Sequence, residues 1–170
     1  MKRRRGLIAF SCVLLACRAE GERFRPLVVG EPAPEYTVRT LAGDTARVTG
    51  SQPLTLLHVW ATWCLPCEKE FPDIEALHRE FGPRGLRVLA VSVDNGGDDP
   101  VEEYVREKGA TFTIGRDPDG IIRRRYQGFG VPESYLIAPN GTLLWRQIGA
   151  MPEGGGEARK AIAEALESER

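Results

Sequence analysis

The sequence predicts an α/β domain built on a mixed central sheet with helices on both faces. Three observations carry that expectation. Strand-like and helix-like segments alternate through the middle of the chain. Leu86 to Val93 is a near-continuous apolar run, as a parallel strand buried on both faces requires. A hairpin pattern and an amphipathic helix close the sequence. At 170 residues the chain can bury one proper core and is too short for two domains. Hydrophobic content of 42% and charged content of 28% are ordinary for a soluble globular protein. A net charge of −1 gives no ground for nucleic-acid binding, and no run reaches the roughly 18 apolar residues of a membrane span.

In chain order, the first segment reads as an address. Lys2-Arg3-Arg4-Arg5 is a basic leader start, and Gly6 to Ala16 is a short apolar stretch. Leu14-Leu15-Ala16-Cys17 resembles a bacterial lipobox, which implies cleavage before Cys17 and lipid on its sulfur. A cleaved leader without lipid, or an uncleaved short anchor, stays open. Two or three acyl chains would hold the protein stably at a membrane, where one alone is marginal. Arg18, where an aspartate is absent, leans toward the outer membrane if the source is Gram-negative. Residues 1–16 are then a signal peptide, 17–29 a tether, and 30–170 the folded domain. Cys12 leaves with the leader and Cys17 carries lipid, so only Cys64 and Cys67 remain in the fold. Outside the cytosol disulfides persist. A dithiol there needs a dedicated reductant or acts as an oxidant.

The folded part opens with a Pro-rich entry loop, Gly30 to Pro34. Tyr36 to Arg39 alternates as a strand, turns at Leu41-Ala42-Gly43-Asp44, and returns near Ala46-Arg47-Val48. Leu54 to Ala61 is a buried strand, and a helical pattern follows the two cysteines to about Phe81. Gly82-Pro83-Arg84-Gly85 breaks it before the strand Leu86 to Val93. The loop Asn95 to Pro100 leads into a helix over 100–108, and a short strand is expected over 110–117. Ile121 to Tyr126 is a brief helical piece. Its Arg123-Arg124-Arg125 reads as a solvated face, with docking of an acidic partner as the alternative. Ser134 to Ala138 and Thr142 to Ile148 form a hairpin about Pro139-Asn140-Gly141. Gly154-Gly155-Gly156 precedes the last helix, Glu157 to about Glu167.

The chemistry concentrates at Trp63-Cys64-Leu65-Pro66-Cys67. Thiol–disulfide exchange needs one thiolate to attack and a second thiol to resolve the mixed disulfide. Two intervening residues put both sulfurs on one helical turn. Unpaired N–H groups and the positive end of the helix dipole favour an anionic sulfur at Cys64. Its pKa should fall below the free value of about 8.5. Cys67, deeper in the turn, is the resolver. Pro66 suits an early helical position, where its missing N–H costs little. Leu65 places no charge between the cysteines. A structural zinc site needs two more ligands, and the chain offers only His58, His78, Cys12 and Cys17. Peroxidatic chemistry would call for Pro and Thr seven and three residues before the reactive cysteine. Leu57 and Ala61 stand there for Cys64, and Trp60 and Cys64 for Cys67.

Three stretches together resemble the TlpA/ResA-like thiol–disulfide oxidoreductases of the thioredoxin superfamily. They are Trp60 to Cys67, Glu70-Phe71-Pro72, and Gly130-Val131-Pro132-Glu133-Ser134-Tyr135-Leu136-Ile137. The resemblance covers about Gly30 to Ala165. It implies a thioredoxin fold with an N-terminal β-hairpin and a helix/strand insertion over Asn95 to Arg125. It implies Cys64 as nucleophile and Cys67 as resolver, with no cofactor beyond their disulfide. Pro132 matches the cis-proline that faces the dithiol, leaving the backbone of Val131 to bind an extended substrate. Glu70 matches a glutamate that tunes the cysteines. It would take and return the resolver's proton, against the plainer role of a solvated carboxylate like Glu68 or Glu75. Trp63 shields the sulfur and offers partners a flat platform, whereas Trp60 packs beneath it. His58 is a departure, standing where thioredoxins carry a buried aspartate and family members often an asparagine. It could act as proton acceptor for Cys67, or be a neutral core histidine; as a cation it would also stabilise thiolate and push the pair toward an oxidising potential, although burial disfavours that cation. His78 reads as surface.

The expected activity is that of a membrane-tethered reductase of disulfides in exported proteins, apocytochrome c among them, recharged by a transmembrane thiol donor. Oxidase or isomerase polarity stays open, because potential depends on a few sulfur contacts. A Cu(I) metallochaperone using Cys64, Cys67 and a histidine is a competing class. A redox-inactive scaffold is disfavoured by the presence of both cysteines.

Overall fold

A computed structural model of the chain describes residues 27–48 and 52–168. The leader, Cys12, the lipidation candidate Cys17 and most of the tether lie outside the described residues.

Seven strands form one mixed sheet in the order β2-β1-β5-β4-β3-β6-β7. The strands are β1 (Thr37–Thr40), β2 (Thr45–Arg47), β3 (Leu54–Trp60), β4 (Leu86–Ser92), β5 (Thr113–Arg116), β6 (Glu133–Ile137) and β7 (Leu143–Ile148). The helices are α1 (Leu65–Phe81), α2 (Asp99–Lys108), α3 (Ile121–Arg125) and α4 (Gly156–Ser168). β3, β4 and β5 run parallel, while β6 and β7 return antiparallel beside β3. The β1–β2 hairpin closes the other edge against β5.

β3 is apolar but for Thr55 and His58, and all seven of its residues are buried. Strand alternation sends His58 and Trp60 to one face and Leu57 and Val59 to the other. Trp60 meets Phe71 of α1 at 4.6 Å between ring centroids and Tyr104 of α2 at 5.3 Å. Gly155, just before α4, lies against Leu77 of α1. Three helices therefore share the His58–Trp60 face. α3 covers the opposite face: Tyr126 at its end packs on Tyr135, which pairs with Leu57. The Tyr126 hydroxyl also donates to Pro34 O of the entry loop.

The register of β3 on β6 places the reactive elements. Val59 pairs with Glu133, so the chain leaving β3 toward Cys64 and the chain entering β6 from Pro132 meet at one end of the sheet. The parallel strands β4 and β5 also finish there.

Three expectations require correction. The strand over 110–117 shortens to Thr113–Arg116. Gly109 ends α2 in the left-handed region (φ 65°), and Thr111 is held elsewhere. Its N–H and hydroxyl donate to Glu75 at 2.9 and 2.8 Å. Glu75 is thus a buried anchor between α1 and the α2–β5 link, not a solvated carboxylate. His78 is half-buried, edge-on to Phe112, with Nδ1 sealed from solvent.

Gly115 sits where β1, β5 and β4 crowd. A Cβ there would come within 2.8 Å of Val38 and 3.3 Å of Val91. Gly115→Ala should cost about 1–3 kcal/mol, as overpacking does. It should lower the urea midpoint with an unchanged m-value. An unchanged midpoint would show that β1 yields freely.

Candidate active site

The strand β3 stops at Trp60 and the chain turns through Ala61 to Cys64, whose N–H donates to Ala61 O. Cys64 is the N-cap of α1 in extended conformation, and its Sγ accepts the Cys67 N–H at 3.2 Å. Pro66 lies in the first helical turn, where it forfeits no intrahelical bond. Cys64 and Cys67 form a disulfide, with their Cα atoms 5.2 Å apart. Cys67 is fully enclosed and Cys64 nearly so. Trp63 (67% exposed) and Leu65 (62% exposed) frame the pair with apolar surface open to a partner.

Two buried carboxylates fix the loops on either side. Asp94 accepts the Thr62 N–H at 3.0 Å, the Thr62 hydroxyl at 2.6 Å and the Ser92 hydroxyl at 2.8 Å. Arg116, buried at the end of β5, donates to Ser92 Oγ and to the carbonyls of Asp94, Gly96 and Gly97. The turn carrying Trp63 and Cys64 is thereby tied to the ends of β4 and β5. On the other side, Glu133 accepts the N–H groups of Phe129 (2.6 Å) and Gly130 (3.1 Å) and the Tyr135 hydroxyl (2.6 Å). That clasp holds the loop leading into the cis peptide Val131–Pro132. A Cβ on Gly128 would sit 2.5 Å from Glu133 Oε2, so only glycine leaves the clasp intact. Asp94 and Arg116 carried no functional signal in the sequence, and Glu133 stood there only as part of the stretch that carries the family resemblance. An internal arginine amid small and apolar residues was the nearest hint for Arg116.

His58 and Glu70 meet beneath the helix start. Glu70 lies one turn after Cys67, and its Oε1 is 3.4 Å from His58 Nε2; neither atom has a hydrogen-bond partner among the described residues. Glu70 Oε2 accepts the Met151 N–H at 2.7 Å, and His58 Nδ1 is 3.0 Å from Ser134 Oγ. Burial pushes the Glu70 carboxyl up to about 7, against the Met151 hydrogen bond and with help from Asp73. Burial pushes the His58 imidazole down to about 3. The same desolvation disfavours both charges, which leaves the imidazole uncharged and the Glu70 carboxyl exchanging its proton near neutral pH. Both His58 nitrogens are directed at these partners, not at sulfur. Glu70 also borders a cleft of about 570 Å³ beside Leu65, Pro66 and Met151.

A redox-active dithiol capping a helix, with a cis-proline on the neighbouring strand of a mixed sheet, defines a protein of the thioredoxin superfamily. The AhpC/TSA family model matches residues 29–146, and the chain belongs to that family. The thiol-disulfide oxidoreductase ResA of Oceanobacillus iheyensis is 30% identical over 68% of this chain; the match spans 62% of that relative's length. The thiol:disulfide interchange protein CycY of Rhizobium leguminosarum bv. viciae is 30% identical over 81% of this chain and 70% of its own. A crystal structure from Chlorobium tepidum, named as a thiol:disulfide interchange protein DsbE, superposes with a TM-score of 0.74 at 30% identity. It covers 82% of this chain and 99% of that one. The resemblance to TlpA/ResA-like proteins therefore holds, and the chain is a thiol–disulfide oxidoreductase.

The Glu70 shift has a sign that can be measured. Its carboxyl is raised from 4.5 unfolded to about 7 folded, so its favourable contribution is complete below about pH 4.5 and is lost as pH rises through 7. Glu70→Gln removes that loss while still able to accept from Met151 and donate to His58. The stability of Glu70→Gln relative to the parent should rise by about 2 kcal/mol between pH 5 and pH 8. His58, lowered from 6.5 to about 3, loses its contribution as pH falls and largely cancels in the comparison. An equal difference at both pH values would place the Glu70 proton elsewhere.

Proposed function

We propose that the chain reduces disulfides of exported proteins on the extracytoplasmic side of a membrane, anchored through lipid on Cys17. Apocytochrome c is the substrate class that the family resemblance favours, and a transmembrane thiol donor returns the protein to the dithiol form. The observation that carries this reading is the helix-capping Cys64–Cys67 pair, with an imidazole, His58, that burial keeps uncharged and encloses 3.4 Å from Glu70. A cationic imidazole beside the sulfurs would stabilise thiolate and make the pair an oxidant. Its absence favours a reductant. Among the described residues no helix is long and apolar enough to cross a membrane.

In the proposed sequence Cys64 attacks as thiolate, stabilised by the N–H groups of the first turn of α1. A Cys64–substrate disulfide forms and one substrate sulfur leaves as thiolate. The substrate strand lies along Val131, with Pro132 opposite the dithiol and Trp63 and Pro66 as apolar walls. Cys67 then loses its proton to the ionised form of the Glu70 carboxylate, which is populated near pH 7, and attacks Cys64 Sγ. The second substrate sulfur leaves and takes up a proton. Two electrons have passed to the substrate, and the Cys64–Cys67 disulfide remains.

Cys67→Ser should stall with substrate held on Cys64, visible as a reductant-sensitive adduct by mass spectrometry. Glu70→Gln should slow resolution of a preformed mixed disulfide by about 100-fold at pH 7. The inflection near pH 7 in that step should vanish with it. Resolution at parental rate and pH profile in Glu70→Gln would remove the carboxyl from the mechanism.

A further inference from the structure

Outside the dithiol, one surface combines exposed apolar area, unspent positive charge and a rigid frame. A cleft of about 500 Å³ separates α3 from the loop that enters Pro132. Its walls include Arg123, Arg124, Asp119, Gly120 and Phe129. The Phe129 ring is 80% exposed, more than any other large apolar side chain among the described residues. Exposure here is not slackness. The Glu133 carboxylate grips Phe129 N and Gly130 N, the Gly128 N–H donates to Arg123 O at 2.8 Å, and Gln127 adopts φ 53°. A buried carboxylate and a left-handed non-glycine residue both serve to hold an aromatic ring in water.

The charge beside it is equally unspent. Among the described residues no hydrogen bond or ion pair engages the Arg123 guanidinium. Arg124 gives one N–H to Asp119 O, and Arg125 gives one to Glu35 O. Asp119 is the opposing carboxylate of the cleft, which leaves an excess of positive charge. Phe129 is three residues, at most about 10 Å of chain, from Pro132. A peptide laid along the cis-proline loop would reach the cleft within a few residues of its reacting cysteine.

Resting on the reading of the dithiol as a centre acting on protein substrates, we propose that this cleft is a docking subsite for a substrate polypeptide. The segment it takes carries carboxylates next to an apolar side chain. The apolar residue packs on Phe129, and the carboxylates meet the guanidinium groups of Arg123 and Arg124. The site sets which exported disulfides are engaged and leaves the exchange steps themselves unchanged.

The test uses the reduced protein and two peptide disulfides that differ at two positions flanking a leucine, glutamates in one and lysines in the other. At low salt kcat/KM should favour the acidic peptide about fivefold, as two exposed charge pairs allow. The preference should shrink in 0.5 M salt. Arg123→Glu with Arg124→Glu should invert it, and Phe129→Ser should raise KM for both peptides while retaining the ratio. Equal kcat/KM for the two peptides, or a ratio untouched by the charge reversal, would overturn the docking site. Failure to reduce either peptide would overturn the exchange reading and the docking site with it. A dimer that disperses on Phe129→Ser would put a second copy on this face and overturn the substrate assignment. Binding to anionic phospholipid vesicles, lost on charge reversal, would equally overturn it.

Discussion

Seven consecutive buried residues, Leu54 to Trp60, lock β3 between a parallel and an antiparallel neighbour. A slip of one residue would send His58 and Trp60 to the far face of the sheet. It would part His58 from Glu70, Trp60 from Phe71, and the dithiol turn from the cis-proline loop. The apolar content of β3 makes such a slip costly, since either face would have to expose or misplace large side chains. Local chemistry at Cys64 thus depends on a register set by packing across the whole sheet.

Three of the buried carboxylates, Asp94, Glu133 and Glu70, differ in how they are satisfied. Asp94 and Glu133 each accept three or more hydrogen bonds from backbone and hydroxyl donors. They fix the two loops that flank the disulfide. Glu70 accepts one hydrogen bond and otherwise faces a neutral imidazole. Poor satisfaction moves its proton affinity toward neutrality, the condition under which a carboxyl can both take and return a proton. The surroundings that make Asp94 and Glu133 braces are what Glu70 lacks.

Much of the fold was legible because its signals are local. The unbroken apolar runs of β3 and β4, the Pro-Asn-Gly turn of the β6–β7 hairpin and the cysteine-headed helix each announce themselves within about ten residues. The pairing of Cys64 with Cys67 and the cis peptide before Pro132 came from motifs. Glu75 and His78 were misread because their burial comes from the α2–β5 link, over 30 residues away. The Thr62–Asp94 clamp joins residues 32 apart, and Met151 reaches Glu70 across 81. Such contacts leave no periodic trace. The neighbours of His58 are likewise remote in sequence: Ser134 lies 76 residues away on β6, and Glu70 lies on α1.

Burial disfavours a cationic His58, and that bears on the proposed direction of electron flow. A thiolate stabilised only by helix-terminal N–H groups is less stabilised than one facing a cation, so its disulfide is harder to reduce and its dithiol the better reductant. The most direct measurement is the reduction potential of the Cys64–Cys67 couple at pH 7, in a soluble form beginning after Cys17, equilibrated against thiol redox buffers. The account predicts a value near or below about −220 mV, toward the roughly −270 mV of thioredoxin. A value approaching about −120 mV, that of a strong disulfide donor, would contradict it and point to a charged His58.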